Sequence, residues 1–358
     1  MKALINWITI VVIVGGCGTS QPTAPTRTYR MGFQNSAPRV DDINLFLQSL
    51  NIWTQRADAA IITTEPPWAK LLSGASTVQY ALDNYKVLVD LYRSKNFKLW
   101  IYIDPQNGLD RMQDAAELVA VGKSISQPDI QKIYRRFVVV MDSLYKPEHL
   151  GLALETNLIR IATTSNSSIY PGGVKAANDV AAELKSRKSA AKLSVSVQAE
   201  VAWGTLQGTT YQGIDKDLAD FPFIEELGIS SYPYLAVNKV SDLPAEYYSR
   251  IASAKNIPVF ISESGWASES VTTPTRTFTS SPQTQAEYVT YHAQLLDKAN
   301  ATAVFQLPFT DIDPTAIPAN VSPNIFYFVN LGFVDAKLSP KPALANWDAI
   351  FKRGLRNQ

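Results

Sequence analysis

Two glutamates stand where apolar strands end. The stretch PVFISESGWAS, Pro258 to Ser268, runs five strand-forming residues into Glu263, with Gly265 and Trp266 behind it. LGLALET, Leu150 to Thr156, delivers Glu155 in the same way. By strand alternation Val259, Ile261 and Glu263 share one face, which sets a carboxylate in line with buried positions. A charge placed there is usually put to use. Other carboxylates close other apolar runs: Glu65 after AAIITT, Asp104 after KLWIYI, Glu200 beyond KLSVSVQ, Asp311 and Asp313 after TAVFQLPF. Trp68, Tyr102, Trp203, Tyr232, Tyr234, Trp266 and Phe309 fall near the same strand ends. Carboxylates protonate a leaving oxygen and attack an acetal carbon without a cofactor, and flat rings cover the apolar faces of sugars. Strand ends of this composition point to carbohydrate. Glu65, Asp104 and Glu200 suit either sugar hydrogen bonding or structural pairing, and Trp203 and Tyr102 suit core as well as rim. Trp68 is the weaker ring platform and Trp266, beside Glu263, the stronger one.

Elimination narrows the chemistry. The chain has two histidines, His149 just before the fourth strand and His292 within the seventh helical segment. Neither is placed to reach the strand ends, so a histidine metal site or a Ser-His-Asp triad has no histidine to use. Both are expected to be structural or surface residues. A G-x-S-x-G elbow and a phosphate-binding P-loop are also missing from the sequence. No cofactor and no metal are expected. With 33 basic and 32 acidic residues the formal charge is +1, which supplies no field for a polyanion, and nucleic acid is not an expected partner.

The elements that must position these side chains alternate regularly. Strand-like runs fall at 30–34, 59–65, 98–104, 150–156, 192–198, 228–233, 258–264 and 302–311. Between them lie helix-period segments. Val78, Leu82, Tyr85, Val89 and Tyr92 mark one face of the second, and Ile133, Phe137, Met141 and Leu144 one face of the third. Thr284 to Glu287 (TQAE) has the capping-box pattern for the seventh, and the eighth begins at Pro342 with Leu344, Trp347 and Phe351. The first strand is followed by GFQNSAPRVDD, without the Gly-rich turn of an open dinucleotide-binding sheet. Even spacing over one domain, residues 28–358, predicts an α/β fold, a single (β/α)8 TIM barrel. The long connections 105–124, 199–220 and 265–283 each follow a strand, on the end where barrel sites are built.

Residues 1–17, MKALINWITIVVIVGGC, read as an export signal: Lys2, then an apolar run too short to span a bilayer comfortably. Val14-Gly15-Gly16-Cys17 resembles the lipobox of bacterial lipoproteins. The resemblance implies lipidation at Cys17, the chain's only cysteine, and membrane contact through that anchor alone. Residues 18–27, GTSQPTAPTR, read as a flexible tether.

Glutamates closing strands four and seven of a barrel resemble the arrangement of the retaining glycoside hydrolases of clan A. ISESGW is similar to the nucleophile strand of that clan, closest to the plant-type β-1,3-glucanases, and the β-1,4-galactanases are similar in plan. The resemblance implies Glu263 as nucleophile, Glu155 as acid/base with its proton retained under the charge of Glu263, and Tyr232 of SSYPY hydrogen-bonded to the nucleophile. The expected partner is a β-linked glycan. Leu154 stands where the clan usually has an asparagine reading the sugar's 2-hydroxyl; either Asn157, two places after Glu155, does that job or the hydroxyl is read differently. The same departure admits an alternative, a surface glycan-binding protein on a barrel that no longer turns over.

Overall fold

A computed structural model describes residues 26–356, apart from 35, 165 and 274–276. Eight strands are parallel throughout: β1 (Arg30–Phe33), β2 (Ala59–Thr64), β3 (Lys98–Ile103), β4 (His149–Gly151), β5 (Lys192–Gln198), β6 (Glu226–Ser231), β7 (Val259–Ser264) and β8 (Ala303–Gln306). They neighbour one another in the order β1-β8-β7-β6-β5-β4-β3-β2. The seam between β1 and β2 is joined by the Asp58 N–H to the Met31 carbonyl (2.9 Å) and by the parallel bridge of Gln34 with Ile61. The main helices between and after them are α1 (Ile43–Trp53), α2 (Thr77–Ser94), α3 (Pro128–Tyr145), α4 (Ile169–Ser186), α5 (Asp215–Asp220), α6 (Ser249–Ala252), α7 (Pro282–Ala299) and α8 (Pro342–Phe351). The (β/α)8 barrel expected from the spacing is the fold.

Strands buried on both faces serve two apolar layers. Ala60, Ile62, Leu227, Ile229, Val259 and Ile261 join the large cluster with the helices, while Ala59, Ile61, Trp100, Tyr102, Phe260 and Phe305 fill the barrel's interior. Tyr102 lies across that interior, its hydroxyl 2.9 Å from Ser194 Oγ. Glycines make room for it: a Cβ on Gly151 would lie 2.3 Å from the ring, and one on Gly228 would lie 2.5 Å from the hydroxyl. Gly151→Ala is therefore expected to cost about 3 kcal/mol by overpacking. A urea midpoint unchanged from the parent would show that Tyr102 is not wedged there.

Both histidines are structural. His149, the first residue of β4, stacks flat on Trp100 (3.7 Å, 2°), with Nδ1 2.7 Å from the buried Glu226. His292 on α7 is buried against the Tyr248 hydroxyl, and burial pushes it down to about 3, so it stays neutral.

Several details differ from the sequence reading. The buried side of α2 is Ala81, Val89 and Tyr92, with Val78 exposed, and Tyr145 rather than Leu144 completes the inner face of α3. The cap of α7 is Ser281, which accepts from the Thr284 N–H, with Pro282 in the first turn; the helix therefore starts before the TQAE segment. Serine as cap and proline just inside are both favoured there, and together they outcompete the later pattern. Cys17 and the signal segment lie outside the described residues. The tether expected over 18–27 stops short of its last two residues: Thr26 and Arg27 pair in parallel with Gly354 and Leu355. Arg27 is buried, with Nη2 2.7 Å from Asp58, whose other oxygen accepts the Met31 N–H (2.8 Å). Arg27 thus braces the β1–β2 seam.

Candidate active site

Glu155 is held by an irregular end to β4. The ladder stops at Gly151, and backbone-to-backbone bonding to β5 continues through Leu152 N–H to Ser194 O (2.9 Å) and Ser196 N–H to Ala153 O (3.0 Å). At Glu155 the backbone turns left-handed (φ 47°) and enters the helix Thr156–Ala162. That conformation costs a non-glycine residue about 1 kcal/mol, offset here by the Glu155 N–H donating to Ser196 Oγ (2.9 Å). Its carboxylate accepts from Ser230 Oγ at 2.6 Å and from Arg111 Nε at 2.9 Å. Leu154 joins the interior barrel cluster and takes no part in the cleft.

Glu263 reaches the same place by a bulge. Val259 and Ile261 face the helices and Phe260 the interior, so simple alternation would turn Glu263 outward. The register with β6 shifts by one residue: Ile229 pairs with Ile261, but Ser230 pairs with Glu263. The extra residue, Ser262, re-aims Glu263 into the barrel mouth, as bulges beside functional sites do. The shared face read from the sequence is thereby corrected. Ser230 now joins the two acids: it is the strand neighbour of Glu263 and the hydrogen-bond donor to Glu155. Tyr232, just past β6, donates its hydroxyl to Glu263 Oε2 (2.8 Å), as expected.

Burial dominates the electrostatics of the site. Burial, then the charge of Glu155, push Glu263 up to about 7, against the opposing pull of Arg111 and the Tyr232 hydroxyl. Arg111 stands between the carboxylates. It is buried, donates to both Glu155 and Asp104 (2.5 Å), and those carboxylates more than offset the burial that opposes its charge. Asp104 is raised, chiefly by burial. It serves the site through Arg111.

Both glutamates open on a cavity of about 810 Å³ at the C-terminal end of the barrel. Tyr232, Arg111 and Gln198 also line it. The expected ring platforms do not. Trp266 is 1% exposed, between Tyr234 and Tyr288, with Nε1 on Ser280 Oγ (3.0 Å). Trp68 is fully buried at the start of the helix Trp68–Leu72. Trp203 stacks on Tyr247 (5.5 Å, 14°) and donates to its carbonyl. Large rings beside strand ends find more apolar area under the long connections than at the mouth, and they pack there. Asn157 does not face the cleft either: it is fully buried, its Oδ1 accepting the Gln198 N–H (2.8 Å) and its Nδ2 donating to the Gln198 carbonyl (2.9 Å). Glu65 is exposed and accepts the N–H of Gly108, a cavity-lining residue (3.2 Å).

Glu200 is a structural acid, bonded to the Tyr247 hydroxyl (2.8 Å) and Ser231 Oγ (3.0 Å) behind the mouth. Burial pushes it up to about 7 from 4.5. A carboxyl raised in the fold contributes stability that is complete below the unfolded pKa and lost as pH climbs through 7. Glu200→Gln is expected to match the parent near pH 4 and to exceed it by on the order of 2 kcal/mol at pH 8. Equal unfolding midpoints at pH 8 would refute this.

Three features were missed. Arg111 stands seven residues after Asp104, a lone cation in IDPQNGLDR. Gln198 closes the apolar run of β5 and lines the cavity, and its buried Oε1 has no hydrogen-bond partner in the protein. The connection after β8, residues 307–328, supplies much of that wall. Its signal was an unusually apolar surface segment, TAIPANVSPNIFYF. Among the described residues no group of His, Cys, Asp or Glu is arranged to hold a metal ion.

No family model matches the chain, and no curated protein does. Solved structures do. A point variant of GH5_18 from Bifidobacterium longum subsp. longum, in complex with Manb1-4GlcNAc, has a TM-score of 0.61 at 15% identity, covering 92% of this chain and 80% of its own. The family 1 β-glucosidase from Thermotoga maritima has a TM-score of 0.64 at 12% identity, covering 94% and 100%. The exo-β-1,4-mannosidase Op5Man5 from Opitutaceae bacterium strain TAV5 has a TM-score of 0.60 at 13% identity, covering 91% and 60%. At these identities the likeness is one of fold: the chain is a (β/α)8 barrel of the architecture these glycosidases share.

Proposed function

We propose that the protein is a retaining glycoside hydrolase acting on β-glycosidic bonds, with Glu263 as nucleophile and Glu155 as acid/base. The observation that carries the reading is the meeting of these two carboxylates across Ser230, with Tyr232 on one and Arg111 on the other. In the first half-reaction Glu263 Oε attacks the anomeric carbon, the bond to the leaving oxygen breaks, and Glu155 gives that oxygen its proton. Water then hydrolyses the glycosyl ester while Glu155 takes a proton back, which frees Glu263. Gln198, which lines the cavity, takes the sugar-binding task the sequence had given Asn157.

Chemistry requires Glu263 charged and Glu155 loaded. Burial pushes Glu263 up to about 7, and Arg111, which touches Glu155, opposes that shift and favours the charged nucleophile.

The same arginine favours a second reading. Both oxygens of Glu155 are engaged, by Arg111 and Ser230, which suits a barrel that binds glycans without cleaving them. A panel of 4-nitrophenyl β-glycosides separates the two readings. Hydrolysis of any member, with the first sugar released as the β-anomer by NMR, supports the enzyme; glycan binding with no turnover across the panel supports the alternative. Export and lipid anchoring at Cys17 remain part of the proposal on the lipobox resemblance.

A further inference from the structure

Glu155, Glu263, Arg111 and Gln198 gather at the cavity's floor, while the walls rising from them are mostly apolar: aliphatic side chains, with Tyr327 and Phe328 among them. Met112 comes from the connection after β3, Leu158 from that after β4, Leu235 from that after β6, and Ile317, Val321 and Ile325 from that after β8. All six keep part of their surface open, and Met112 is 54% exposed at the edge, with Val40, another lining residue, 78% exposed. Polar side chains within the same walls are tied to the protein: Asn324 Nδ2 donates to the Leu109 carbonyl (2.8 Å), Ser36 Oγ accepts the Phe309 N–H (3.1 Å), and Asp110 accepts the Met112 N–H (3.1 Å). None of the tryptophans among the described residues lines the space.

A cleft for a polysaccharide needs hydroxyl partners and flat rings along its length. Beyond the carboxylates this one offers few: its rings are Tyr232, Tyr327 and Phe328, and its wall polar groups are bonded within the protein. At about 810 Å³ it also has room for more than a single sugar ring. Resting on the hydrolase reading above, we infer that the leaving group is apolar: the substrate is an amphiphilic glycoside, one sugar on the polar floor and an alkyl or acyl-type aglycone along the aliphatic walls. Each buried methylene tightens binding by about three- to fourfold when fully removed from water.

Matched pairs of methyl and n-octyl β-glycosides of glucose, galactose and mannose, kept below the detergent's micellar concentration, test this by calorimetry and by release of free sugar. The inference expects the octyl member to bind at least ~30-fold more tightly than the methyl member for one of the three sugars. In Met112→Asp and, separately, Ile325→Asp, the octyl-over-methyl ratio should fall at least fivefold. Met112 is largely exposed, so its variant probes the wall without disturbing the core. Octyl preference without hydrolysis would uphold the apolar subsite and sink the enzyme reading. Hydrolysis with equal affinity for both members, or an octyl preference untouched in both variants, would overturn the inference and leave the hydrolase standing.

Discussion

Glu263→Ala abolishes turnover, lowering kcat on an activated aryl β-glycoside by on the order of 10⁵-fold, while the protein still folds. The loss is that of a nucleophile whose job no neighbour can take. Glu155 is held by Arg111 and Ser230, and Asp104 is spent on Arg111. Truncation also opens a hole beside the anomeric carbon, so added azide should restore part of the rate and yield the α-glycosyl azide. Stability should move the other way. A carboxyl raised to about 7 by burial loses its stabilising share as pH rises through that value, so at pH 8 the variant should melt above the parent. Wild-type turnover in Glu263→Ala would remove Glu263 from the mechanism.

The second large effect belongs to Arg111. Arg111→Met leaves Asp104 and Glu155 buried without their cation, and the expected cost is about 3–5 kcal/mol at neutral pH. The deficit should shrink toward pH 4. With the guanidinium gone, the folded state binds protons on those carboxylates more tightly than the unfolded chain does, and stability is then lost as pH rises. Adding Asp104→Asn should recover much of the loss, since one of the two stranded charges disappears. Because Arg111 also opposes the upward shift of Glu263, the acid limb of kcat/KM should move to higher pH in any variant that still turns over. A deficit equal at pH 4 and pH 8, with no move of that limb, would reduce Arg111 to ordinary packing.

Much of this was legible in the residues, and the limits have physical causes. Alternating apolar runs and helix-period segments specified the barrel because burial on both faces of a parallel strand leaves a strong pattern. Glu155, Glu263 and Tyr232 were found because polar side chains at the ends of such runs stand out. The direction of Glu263 was reached by a parity argument that fails, since the bulge at Ser262 rephases β7; one inserted residue leaves no mark in composition. Trp266, Trp68 and Trp203 were read as rim platforms because strand position says where a ring begins, not what covers it. The Trp266 indole N–H donates to Ser280, further along the same connection. Asn157 was placed by alternation as though β4 continued, but the chain is already helical there. Arg111 was invisible for a related reason: a cation seven residues into a loop becomes a partner only once the loop has folded back on Asp104.

The account's central claim is that Glu263 becomes covalently bonded to sugar. Incubation with 2,4-dinitrophenyl 2-deoxy-2-fluoro-β-glycosides of glucose, galactose and mannose, followed by mass spectrometry of the digested protein, tests it directly. The account predicts one added fluorosugar, on the peptide containing Glu263, with release of one equivalent of dinitrophenol. Hydrolysis of the parent glycosides without any label, or a label on another residue, would contradict it.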